Sequence, residues 1–133
     1  TEGVLAAQGA AAEGIKTTLH YADSLDNPAN KKFREAFKKA TGRNADVYAV
    51  QGYDAVQSLA QALDKVKGDT GGLKDLVAAM EAVRIDSPRG AFRFSKAHNP
   101  VQDIYLRQVV GKENKVIGVA SKALADPGRG CKL

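Results

Sequence analysis

From Pro28 to Val83 the apolar residues recur at three- and four-residue steps, and from Ser87 onward they alternate. That change of period, from about 3.6 to about 2, constrains the fold more than any other feature of the chain. A polypeptide that spends its middle on amphipathic helices and its end on consecutive strands has to lay helices against a sheet with antiparallel neighbours, an α/β arrangement.

The element signals are local. Residues 3–12 favour helix apart from two glycines, and Gly14 supplies a stop. Residues 15–21, Ile-Lys-Thr-Thr-Leu-His-Tyr, are rich in β-branched and aromatic types and read as a strand. Asn27 and Pro28 are placed to cap and open a helix that Gly42 closes, with Phe33, Ala36, Phe37 and Ala40 as its apolar stripe. Capping also accounts for the acids Asp23 and Asp26 at this turn. Val47 to Val50 reads as a strand-like run entering a helix at Tyr53, with Gly52 as the turn. Its buried stripe is expected on Tyr53, Val56, Leu59, Ala60, Leu63 and Val66. A third helix is marked by Leu73, Leu76, Val77, Met80 and Val83, with Asp69 or Thr70 as its cap. Strands are expected at 91–94, 103–110 and 115–119, the first two joined by the turn Ser95 to Pro100.

Composition narrows the function. With 133 residues, 44% hydrophobic and 26% charged, the chain has ordinary globular usage. No apolar stretch approaches the roughly 20 residues of a membrane-spanning helix. The net charge of +5 permits an anionic partner, but Lys31, Lys32, Arg34, Lys38 and Lys39 form the solvated face of an amphipathic helix. No aromatic nucleic-acid motif accompanies them, so no nucleic acid is expected. His20 and His98 lack the spacing of metal ligands, and the single Cys131 cannot make a metal cluster or an internal disulfide; no metal and no cofactor are expected. The loop Gly68 to Gly72 lacks the lysine-serine ending of a phosphate cradle. No nucleophile elbow is present, so the chain reads as a non-enzyme. What remains is the tyrosine set. Tyr53 and Tyr105 fall on patterned elements and should be core or half-buried, whereas Tyr21 and Tyr48 stand where a strand runs into a loop, the common position for ligand contacts in α/β folds.

Several stretches together resemble the C-terminal part of the periplasmic substrate-binding proteins of the branched-chain amino acid ABC transporter family. They are GIKTTLHYADSLDNPANKKFREAFKKATG, YAVQGYDAVQSLAQAL, SPRGAFRFSKAHNPVQDIYLRQV and DPGRGC. The resemblance runs essentially end to end and implies part of a type I periplasmic-binding fold, in which three-layer α/β/α lobes joined by hinge strands clasp a ligand. It assigns residues 1–20 to the end of the second lobe and a hinge strand. Residues 21–102 become the C-terminal half of the first lobe, and residues 103–133 the return crossover strands and tail.

By the same resemblance Tyr48 falls where relatives place an aromatic ring against the ligand, with Val50 and Gln51 beside it and Tyr21 also in contact. Tyr21, Ala22 and Asp103 fall at the hinge. The implied function is the periplasmic solute-binding component of an ABC importer, taking an amino acid or a similar small, even aromatic, carboxylate and presenting it to a membrane permease. The chain matches the last third of such a protein, so its partners would include a missing N-terminal segment or second chain, and Cys131 would be sought in a disulfide. The alternative on the same fold is an interaction or regulatory module whose cleft partner is a protein.

Overall fold

A computed structural model describes residues 1–130. In chain order the elements are α1 (Glu2–Gln8) with a 3-10 turn (Gly9–Ala12), β1 (Lys16–Leu19), α2 (Pro28–Thr41), α3 (Val47–Lys65), α4 (Leu73–Glu81), β2 (Arg93–Phe94), β3 (Pro100–Val110) and β4 (Glu113–Leu124). Among the described residues every pairing between these strands passes through β3. It is antiparallel to β1, with Thr17 opposite Arg107, to β2, with Arg93 opposite Val101, and to β4, with Val110 opposite Glu113. The register slips at three places along β3 and β4, which bends and twists β4 along its length. The expected α/β class with antiparallel pairing is what the chain adopts.

Helix α2 forms as its sequence specifies. The Asn27 side chain accepts from Asn30 N at 2.7 Å, Pro28 occupies the first turn, and Gly42 ends the helix at φ 72°. Capping does not explain the neighbouring acids. Asp26 instead pairs with Lys31 at 2.6 Å in solvent, and Asp23 turns inward, where burial and the nearby Glu2 push its carboxyl up against the opposing pull of Arg34.

Three readings of the sequence need correction. The run from Val47 to Val50 is helical: Asp46 accepts from Ala49 N at 3.0 Å and so starts α3 at Val47, six residues before the expected entrance. Gly52 is therefore an interior helix position and makes no turn. The face of α3 turned into the fold carries Val47, Val50, Asp54, Ser58 and Ala62, while Tyr53, Val56 and Leu59 are exposed. Helix α4 likewise buries Ala79 rather than Leu73 or Val77, and it starts at Gly72 without a side-chain cap; Asp69 accepts from Gly71 N at 2.9 Å in the preceding loop.

Three separate apolar clusters hold these elements. Tyr21, Phe33, Ala45, Val47 and Val50 join α2 to α3. Ala62, Ala79, Val83, Ile85 and Phe92 join α3 to α4 and the segment before β2. Leu5, Ala12 and Val109 fasten α1 and its 3-10 turn to the far end of β3. Strands β1 and β3 thus run between the first and third clusters, with Leu19 packing on the first and Val109 buried in the third. Arg107 ties them together, donating to Tyr21 O at 3.0 Å and Thr17 Oγ1 at 3.0 Å and facing Glu2 at 3.4 Å.

Candidate functional site

Starting α3 at Val47 decides which residues share its open face. Tyr48, Gln51, Gly52 and Ala55 stand at steps of three and four, so they line one side of the first two turns, and all four are exposed. Tyr48 is 66% exposed and overhangs a hollow shared with Phe37, Arg43 and Asn44. Gly52 carries no side chain, and a Cβ built there would meet nothing within 4 Å. The face is an aromatic ring, an amide and a notch.

Beside it lies His20, at the end of β1 and half-buried, with its Nε2 3.4 Å from Gln51 Nε2. An amide nitrogen only donates, so the contact leaves Nε2 as the acceptor and the ring proton on Nδ1. Burial lowers the imidazole to about 4, and the positive charges of Arg89 and Arg107 push in the same direction. His20 is therefore neutral at ordinary pH.

Arg89 belongs to a buried network that fixes α3 to the sheet. Its Nε lies 2.9 Å from Asp54 Oδ2 as a close ion pair, with side chains 7% and 4% exposed. Nη1 donates to Gln102 Oε1 at 2.7 Å, and the guanidinium sits 4.1 Å over the Phe92 ring. Ser87 Oγ donates to Asp54 Oδ2 at 2.9 Å, and Tyr105 Oη donates to Arg89 O at 2.7 Å. Desolvation exceeds the mutual attraction on both partners: it raises the Asp54 carboxyl and lowers the Arg89 guanidinium.

Of the expected site residues, Tyr48 and Gln51 come together on the open face. Tyr21, Ala22 and Val50 are fully buried in the core beneath it. Tyr21 Oη donates to Asn30 Oδ1 at 2.9 Å, and burial pushes its phenol well above the usual range. Asp103 acts on the sheet, where its Oδ1 accepts from Ala123 N at 2.8 Å across a register slip. His20, Asp54 and Arg89 were missed by sequence reasoning. No periodicity links residue 20 to residue 51, and only the unusual arginine inside the turn Ser-Pro-Arg-Gly signalled a built structure. Among the described residues no group of three or more His, Cys, Asp or Glu could hold a metal ion, and no helix is long and apolar enough to cross a membrane. Cys131 lies outside the described residues.

Comparison with known proteins matches residues 1–114 to the family described as periplasmic binding protein. A curated relative, the Leu/Ile/Val-binding protein homolog 6 of Brucella abortus, is 37% identical over 96% of this chain and 34% of its own length. A solved ABC transporter solute-binding protein from R. palustris, in complex with benzoate, superposes with a TM-score of 0.92 at 49% identity, covering 98% of this chain and 36% of that one. Another from Rhodopseudomonas palustris BisB5, in complex with 3,4-dihydroxybenzoic acid, gives 0.82 at 35% identity over 96% and 36%. A leucine-binding protein from Thermotoga maritima shares the fold at 0.75 with 21% identity, over 90% and 34%. The chain spans about a third of the length of these relatives.

Proposed function

This chain belongs to the periplasmic binding protein family, and we propose that it is the part of an ABC importer's solute-binding component that supplies one wall of a cleft for a small carboxylate, an aryl acid foremost. The fold is the type I periplasmic-binding fold, of which the chain holds a portion. Members of this family are solute-binding transport proteins and not enzymes.

One observation carries the reading. The chain shares 49% identity with a protein in complex with benzoate and 35% with one in complex with 3,4-dihydroxybenzoic acid, and its own open face holds an aromatic ring, Tyr48, beside a polar pair, Gln51 and His20. An aryl acid needs that combination: apolar contact for the ring and directed polar groups for the charged end. Tyr21 and Val50 hold the wall from behind.

The separate clusters support the division into lobes, with residues 1–20 ending a second lobe, residues 21–102 in the first and residues 103–133 returning across the hinge. Hinge behaviour at Tyr21, Ala22 and Asp103 fits the two strands that pass between the clusters. Closure is then a population shift, because a ligand touching both lobes favours the closed form, which a permease in the inner membrane reads from the periplasmic side.

The test pairs this chain with the first two-thirds of the R. palustris benzoate-complexed protein and follows thermal shift with benzoate, 4-hydroxybenzoate, 3,4-dihydroxybenzoate and leucine. A saturable upward shift with at least one aryl acid is expected. A folded assembly that shifts with none of the four refutes the reading.

A further inference from the structure

The positive charge of this chain is concentrated on one helix. Helix α2 holds five cations, Lys31, Lys32, Arg34, Lys38 and Lys39, against the single carboxylate Glu35, so 14 of the 133 residues carry four of the five net positive charges. The rest of the chain is close to neutral. Two of the five cations are occupied: Lys31 pairs with Asp26, and Arg34 turns inward to donate to Asp23 O at 2.8 Å. Lys32, Lys38 and Lys39 are exposed and form no ion pair among the described residues, nor does Arg43, which stands just beyond the Gly42 cap. Lys31 and Lys38 are seven residues apart, as are Lys32 and Lys39, so all four share the side of α2 opposite Phe33 and Phe37, which pack on the first cluster. At about 1.5 Å of rise per residue the row runs about 12 Å along the helix.

Helix stability does not call for this arrangement. Lys38 and Lys39 in the last turn suit the helix dipole, but Lys31 stands in the first turn, where the dipole disfavours a cation, and Arg34 and Lys38 are like charges at a four-residue step. The neighbouring helices show no such excess: α3 carries Asp54, Asp64 and Lys65, and α4 carries Lys74, Asp75 and Glu81. We infer that the exposed lysine row of α2, continued by Arg43, is a docking surface for an anionic lipid bilayer. The choice of lipid follows from the kind of cation and the shape of the surface. Lysines are point charges on flexible stems, which meet mobile headgroup phosphates without a fixed geometry. A tight protein partner needs buried aromatic or arginine anchors, and single-stranded nucleic acid needs exposed rings to stack on. The lysine row offers neither, because the rings of α2 are turned to the core. The inference does not depend on the solute-binding reading; together the two hold the binding component at the bilayer in which its permease lies.

Each lysine at an anionic bilayer surface is worth about a fivefold change in partition, and the attraction fades within a Debye length. The experiment follows co-sedimentation of the full chain with vesicles of pure phosphatidylcholine and of phosphatidylcholine with about 30% phosphatidylglycerol, at about 20 mM and about 500 mM salt. Binding is expected to the phosphatidylglycerol vesicles at low salt only. The triple variant Lys32→Gln, Lys38→Gln, Lys39→Gln should weaken it about a hundredfold. A second triple, Lys65→Gln, Lys74→Gln, Lys115→Gln, removes the same charge from exposed positions elsewhere and should weaken it less than about fivefold. Circular dichroism melts check that both triples keep the parent's fold. Equal weakening by the two triples would show that net charge and not the α2 row drives association, and overturns the inference. Binding to both vesicle types alike, or binding that survives high salt, overturns it too, since both mark apolar insertion. A chain that ignores phosphatidylglycerol vesicles yet binds an acidic protein or duplex DNA through these lysines refutes lipid docking and assigns the row to that partner. No binding to phosphatidylglycerol vesicles at low salt refutes it outright.

Discussion

Removing Asp54 should cost this chain more than any other single substitution on α3. The Asp54 and Arg89 side chains are 4% and 7% exposed and 2.9 Å apart. Asp54→Ala leaves a guanidinium that cannot lose its proton held only by Gln102 Oε1 at 2.7 Å and the Phe92 face. Breaking a buried pair from one side costs about 3–5 kcal/mol, a large share of the roughly 5–15 kcal/mol that holds a domain together. Arg89→Met is expected to cost less, because the remaining carboxyl can neutralise itself. Burial already raises it, and loss of Arg89 raises it further. Its native form then binds a proton that the unfolded chain does not, so the variant is most stable below the ordinary carboxylate pKa and loses stability as pH rises through the raised one. The double variant should be more stable than Asp54→Ala alone. Urea unfolding of all four proteins at pH 5 and pH 8 measures this. Costs that add within about 0.5 kcal/mol, or an Asp54→Ala cost below about 1 kcal/mol, would show that the pair is not coupled as described.

Three further outcomes are expected. His20, lowered from 6.5 to about 4, binds fewer protons folded than unfolded, so it contributes up to about 3 kcal/mol above pH 6.5 that is lost as pH falls toward 4; unfolding curves at pH 7 and pH 4.5 should differ less for His20→Gln than for the parent, and equal differences would remove the assignment. Tyr53→Ala should cost about 1–2 kcal/mol, since the ring is 39% exposed but 4.9 Å from Phe33, whereas Tyr48→Ala should stay within about 0.5 kcal/mol; thermal melts of the two variants rank them. Asp46→Ala should cost about 1 kcal/mol and speed hydrogen exchange at the Ala49 amide, while an unchanged Ala49 rate would mean that the cap does not set the start of α3.

Local chemistry was legible where one residue type has one use. Asn27, Pro28 and Gly42 bound α2 as expected, and the Tyr105 hydroxyl found a partner. The start of α3 was misread because Val-Tyr-Ala-Val alternates like a strand, and only the Asp46 side chain settles the competition. The buried face of α3 was misread for a different reason. Periodicity finds the apolar side of a helix, but the side turned into this chain's own fold carries Asp54 and Ser58, made tolerable by Ser87, Arg89 and a backbone carbonyl. On the open face Tyr48 and Gln51 were named from the resemblance, whereas His20 was not, because its place beside them depends on a contact across 31 positions.

The central place of β3 sets a schedule. Within this chain residues 16–19 pair with residues 105–108, about 90 positions away, so closing that pair carries the largest loop entropy in the sheet. The clusters around Phe33 and Ala62 draw mostly on residues 21–94 and can gather before that closure. Once β3 arrives, every strand pairing becomes available through the same segment, so the sheet should form late and as a unit. Wrong strand pairing is open to this chain mainly while β3 is not yet in place.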